Sequence, residues 1–140
     1  MENNVSHTKL SDNEFITQFK NCTLNPSIFN HEAHLRLSWI LINELGLDSA
    51  IKTIQLQLQN FVKSVGATDK YHATLTIAAM KTVHHFMQKS KTENFENFIS
   101  ENQRLKTNFK DLINNHYSID IFTSEQAKVN FLEPDLLPFE

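Results

Sequence analysis

Apolar positions recur at helical spacing along most of the chain. Phe15, Ile16 and Phe19 share one face of a first segment that opens at Ser11. Ser11 and Glu14 stand three apart, the spacing of a capping box, in which each side chain satisfies a free backbone N–H at the helix start. Asn25-Pro26 interrupts the pattern. A second helix is predicted over His31–Leu45, with Asn30 as its N-cap and Gly46 just past its end. Leu35, Leu37, Trp39, Ile40, Leu41 and Ile42 make it apolar on most sides, which places it centrally in a bundle. A third helix is predicted over 48–65, capped by Asp48 and closed by Gly66. Its Ile51, Ile54, Leu58, Phe61, Val62 and Val65 keep the spacing of one face. A fourth is predicted over 69–89, with Leu75, Ala79, Val83, Phe86 and Met87 as its stripe. Shorter helical segments follow at 92–105 and 108–115, then a turn at 124–131 opened by Ser124. Residues 118–122 would suit a strand, but no second strand offers pairing. The first ten residues are expected to fray. The apolar tail, 132–140, is expected to run extended and pack back on the domain.

Composition sharpens this picture. With 140 residues, 40% apolar and 21% charged, the chain suits one globular domain spanning 1–140. Two glycines and three prolines favour long helices over dense turns. The expected fold is all-α, a single-domain bundle of five or six helices. A net charge of −3 provides no electrostatic footprint for nucleic acid, and no apolar run reaches membrane-spanning length. The single cysteine, Cys22, cannot form an internal disulfide and reads as a small hydrophobe. The start of the chain shows no basic segment followed by an apolar one. A cytoplasmic location is expected. Surplus apolar surface would permit pairing of chains without requiring it, so the oligomeric state stays open.

Candidate chemistry lies in the histidines, of which there are seven. At about 100° per residue, His31 and His34 fall on the core side of the second helix, with Leu35, Ser38 and Ile42. His72 falls among Thr76, Ala79, Val83 and Phe86 on the fourth. Glu32 and Arg36 fall on the opposite flank, four apart, as a solvated ion pair. Short connections make neighbouring helices antiparallel, so the second and fourth begin at the same end of the bundle. His31, His34 and His72 are therefore expected to converge there. Burial and the positive ends of helices favour neutral imidazole, the metal-binding form. Three such nitrogens with an open position suit a divalent transition metal, with Zn, Fe, Cu and Ni not distinguished. Ser38, Trp39, Tyr71, Thr74 and Thr76 are the candidate pocket wall. His31-Glu32-Ala33-His34 is not the zincin motif, since its second histidine comes at i+3. His84 and His85 fall away from the stripe and read as surface.

Phe29-Asn30-His31-Glu32-Ala33-His34-Leu35, followed by Tyr71-His72-Ala73-Thr74-Leu75-Thr76, resembles a group of small bacterial helical proteins of uncharacterised function. Their pattern is roughly F-x-H-x-x-H-L, an apolar helix, then Y-H-x-T-I/L-T. Glu133-Pro134-Asp135-Leu136 is similar to their ending. The resemblance covers about 12–138 and implies that His31, His34, Tyr71, His72 and Thr74 belong together. The general layout is also similar to DinB-like metal-binding bundles, whose histidine spacing differs. The expected function is metal binding at the three histidines, with metal-assisted chemistry on a small molecule if the protein is an enzyme. The alternatives are a non-enzymatic small-ligand or metal-binding protein, and a structural module whose histidines are hydrogen-bonded.

Overall fold

The computed structural model describes residues 6–139. Among them are eight helices and no strand: α1 (Asp12–Lys20), α2 (His31–Leu45), α3 (Leu47–Ser64), α4 (Ala73–Lys89), α5 (Phe95–Glu101), α6 (Arg104–Thr107), α7 (Phe109–Asn114) and α8 (Glu125–Val129). The chain is therefore an all-α bundle, as its periodicity implies. None of these helices is long and apolar enough to cross a membrane.

Local signals explain most helix starts. The Ser11–Glu14 capping box forms in both directions, at 3.1 and 2.9 Å. Asn30 caps α2 by accepting from Ala33 N–H at 2.8 Å. Ser124 caps α8 in the same way. Helix α3 departs from expectation. It begins at Leu47, with only Gly46 between it and the end of α2, and its N-cap is Gly46 rather than Asp48. Gly46 has φ +81°, which lets one residue serve as the end of α2 and the start of α3. The segment expected as one helix over 92–105 divides into α5 and α6, with Asn94 as the cap of α5. Residues 118–122 make turns.

Helices α2, α3 and α4 pack against one another, and α1 closes onto α2 and α3. Their main core gathers Phe15, Phe19, Leu37, Ile54, Met80 and Phe98, all fully buried. A second, smaller core lies where Ala78 of α4 meets Ile113, Tyr117, Ile121 and Ala127. Helix α4 thus stands between two cores, which explains why most of its residues from Ala73 to Val83 are buried.

Both ends of the described chain are tied down by polar groups. Residues 1–5 and 140 of the segments expected to fray or pack back lie outside the described residues. Within 6–10 the chain makes a short turn at His7–Lys9, and His7 is 1% exposed. Arg36 holds this segment. Its guanidinium donates to His7 O at 2.6 Å, to Leu10 O at 2.8 Å and to Asp12 Oδ1 at 2.8 Å. It also lies over the Phe15 ring. The His7 ring accepts from Arg36 at Nδ1 and donates through Nε2 to Glu32 at 2.7 Å. Arg36 is 7% exposed, so Glu32 and Arg36 are not the solvated local pair expected from their spacing. Glu32 turns instead to His7 and Lys106. Burial pushes its carboxyl pKa up, but hydrogen bonds from Lys106 and His7 outweigh this and hold it below the ordinary value.

At the other end the tail lies against the domain. Thr74 Oγ1 donates to Asn130 O and accepts from Leu132 N–H, at 2.9 and 3.0 Å. Tyr117 donates its hydroxyl to Leu132 O at 2.7 Å. Burial and the carboxylates of Glu133 and Asp135 push the Tyr117 pKa up to about 12, so it stays a donor. Asp135 accepts from Ser118 N–H and from its hydroxyl.

Replacing Arg36 by Met should lower the unfolding free energy by about 3 kcal/mol, because two carbonyls and a carboxylate lose a charged donor. Urea denaturation measures the loss. Hydrogen exchange should show the amides of residues 7–12 opening before the rest. Unchanged protection there would mean that the Arg36 bonds do not hold the segment.

Candidate ligand-binding site

The start of α4 decides how the site is built. Sequence periodicity places His72 inside a helix beginning near Asp69. In the structure Thr68–Lys70 forms a separate turn, and His72 is the N-cap of α4. Off the helix, it no longer lies on the stripe with Ala79 and Val83. Its Nδ1 accepts from Leu75 N–H at 3.0 Å, which satisfies one of the free donors at the helix start. Its Nε2 donates to Ile121 O at 2.9 Å. These two bonds require the neutral ring protonated at Nε2. Burial lowers the His72 pKa, and Lys128 nearby acts in the same direction; the bond to Ile121 opposes them. Thr76 Oγ1 donates to His72 O at 2.7 Å and closes the first turn.

The other two histidines begin α2 but diverge. His31 is exposed, donates through Nε2 to Leu105 O at 2.9 Å, and packs its ring against Phe109. It faces α6 and α7 rather than the bundle interior. His34 turns inward. Its ring stacks on Phe29 at 5.7 Å, and its Nε2 is buried without a hydrogen-bond partner. Burial, together with a smaller repulsion from His31, lowers its pKa from 6.5 to about 4. His34 is therefore neutral at neutral pH.

His34 and His72 line one cavity of about 500 Å³. This supports the expectation that α2 and α4 begin at the same end of the bundle. Its walls are mainly apolar, built from Phe29, the last turns of α3 (Leu58, Phe61 and Val62) and its C-cap Val65, with Leu75 from α4. Tyr71 and Thr76 add polar edges, and Lys70 stands at the exposed margin. The Tyr71 hydroxyl is near Gln55, Gln59 and Thr76, while burial raises its pKa. The volume and polarity lie in the range of small-molecule sites.

Of the expected wall residues, Tyr71 and Thr76 line this cavity, and three do not. Ser38 is buried and donates to His34 O. Trp39 packs edge-on against Phe95 in the main core. Thr74 holds the tail. Among the described residues, no group of three or more His, Cys, Asp or Glu side chains is placed to hold a metal ion. The imidazoles of His31 and His72 are committed to carbonyls, and only His34 is unbonded. Sequence reasoning missed the α3 wall, although Leu58, Phe61 and Val62 at the end of α3 and Val65 just past it keep one helical spacing. It also missed Phe29, which sits in the same motif as His34.

The pH dependence of stability follows from His34. The unfolded chain takes up a proton on this residue as pH falls through about 6.5, whereas the folded chain resists until about 4. Stability is therefore full above about 6.5 and falls as pH is lowered to about 4. The loss from this group is at most about 3 kcal/mol. His34→Leu should flatten the profile across this window. An NMR titration placing the His34 midpoint near 6.5 would refute the assignment.

No protein-family model, curated protein or solved structure matches this chain.

Proposed function

We propose that this chain is a small-ligand-binding protein whose ligand occupies the cavity between α2, α3 and α4 and hydrogen-bonds to His34. The observation that carries this reading is the buried Nε2 of His34, which has no partner and belongs to a residue lining an apolar cavity of about 500 Å³. An unsatisfied buried polar atom costs about 1–3 kcal/mol, and a bound molecule that supplies the missing hydrogen bond recovers it. The apolar walls favour a flat or compact body without charge, carrying one polar group. Acid–base catalysis is less well supported. A general base works best with a pKa near the operating pH, and His34 lies well below it. His72 has both ring nitrogens in use.

The three-histidine metal reading asks more of the protein. His72 would have to release Leu75 N–H or Ile121 O, and His31 would have to turn from Leu105 O. The ligand reading also carries forward the expected cytoplasmic location, where an unpaired Cys22 stays reduced.

Phenol and toluene test the proposal, since they differ by one hydroxyl. Both should shift the NMR signals of Phe29, His34, Phe61 and Leu75, with phenol bound about tenfold more tightly. His34→Leu should keep toluene binding and abolish the preference for phenol. No shifts at these residues at millimolar probe would overturn the reading. So would an undiminished preference in the variant. Binding of about one equivalent of Zn, Fe, Cu or Ni to the parent, lost in both His34→Ala and His72→Ala, would replace it with the metal reading.

A further inference from the structure

We propose that a second cavity, at the other end of α4, binds an amphipathic carboxylate. It has a volume of about 410 Å³ and shares no lining residue with the first. One wall is the last half of α4, through Thr82, Phe86 and Lys89. Leu112 and Arg104 come from α7 and α6. The tail supplies Leu137, Pro138 and Phe139.

Three observations define the ligand. The first is charge. Lys89 and Arg104 both line the cavity, neither is paired with a carboxylate among the described residues, and no described acidic residue lines it. The planar guanidinium fork of Arg104 matches a carboxylate in geometry as well as charge. The second is the apolar wall of Phe86, Leu112, Leu137, Pro138 and Phe139, which suits a hydrocarbon or aromatic body rather than a free inorganic anion. The third is Thr82. It is 6% exposed, lines the cavity, and has its Oγ1 buried without a hydrogen-bond partner. A hydroxyl on a helix normally finds a carbonyl or water. Here it has neither, and its residue borders the cavity.

The tail wall is held in place. His116 donates from Nδ1 to Leu137 O at 2.8 Å and accepts at its own carbonyl from Leu136 N–H at 3.0 Å. Its ring lies 4.1 Å from that of Phe139. The cavity therefore exists because the tail packs back, and a ligand within it would touch tail and helix together.

Octanoate and 1-octanol serve as probes by calorimetry. Octanoate should bind the parent and octanol at least tenfold more weakly. The double variant Lys89→Ala/Arg104→Ala, altered at two exposed positions, should lose the preference for the acid. Thr82→Val should weaken octanoate severalfold. His34→Leu should leave octanoate binding unchanged, since that residue belongs to the first cavity. No octanoate binding at millimolar concentration would overturn the proposal. Equal binding by parent and double variant would do the same. Loss of binding in His34→Leu, with the double variant unaffected, would assign the probe to the first cavity and also overturn it.

Discussion

Helix α4 begins with backbone N–H groups that the helix itself cannot satisfy, and the way this is resolved organises much of the molecule. His72 places Nδ1 on Leu75 N–H and spends its remaining proton on Ile121 O. One imidazole thus caps the helix and ties it to the segment beyond α7. Two residues on, Thr74 uses both capacities of its hydroxyl to hold the tail at Asn130 and Leu132. Thr76 then closes on the His72 carbonyl. Three polar side chains in five residues fix the helix start, the tail and one wall of the first cavity. Each bond contributes only about 1 kcal/mol net. Burial of α4 between two apolar cores supplies the larger driving force. The polar groups decide where the helix starts and what lies against it.

The same division of labour holds at the other end of the chain. Phe15 and Phe19 are fully buried and would hold α1 on the core by their apolar area. They do not specify the path of residues 7–10 before it. Arg36 does so, because its fork reaches the carbonyls of His7 and Leu10 and the Asp12 carboxylate at once. A lysine would have to reach all three acceptors from a single nitrogen, whereas Arg36 uses two ends of its fork. His7 lies between the Arg36 cation and the Glu32 anion, and its two ring nitrogens accept from one and donate to the other.

Much of the bundle was legible because its signals are local. Ser11 with Glu14, and Asn30 before His31, name helix starts through short hydrogen bonds within four residues. The apolar spacing of α2 and α3 states which faces are buried. Short connections and the helical wheel together brought His31, His34 and His72 to one end of the bundle, and the cavity there is lined by His34 and His72. What sequence reasoning could not see were choices settled by distant partners. Glu32 and Arg36 stand at ideal spacing for each other, yet His7, Asp12 and Lys106 offer both of them better-placed groups. Helical spacing carried back to Asp69 puts His72 on a buried stripe. The true start makes it a cap, and helical geometry says nothing about the direction of a residue outside the helix. The wheel puts His31 on the inward side, but the Leu105 carbonyl, 74 residues away, holds its ring outward.

The two cavities carry the functional argument because of what is unsatisfied in them. Among the described residues, three buried side-chain polar atoms lack a hydrogen-bond partner: His34 Nε2, Thr82 Oγ1 and Asn114 Oδ1. Two of the three belong to residues lining the two largely apolar cavities, one in each. A packed interior rarely tolerates such atoms, since each has lost water without gaining a protein partner. For stability alone, leucine at 34 and valine at 82 would fill similar space without the penalty. Their polar atoms acquire a purpose if the missing partner arrives with a ligand. The two sites then differ in kind: one offers a neutral imidazole within apolar walls, the other a hydroxyl beside two cations. Asn114 lines neither cavity, so its unsatisfied oxygen has no place in this account.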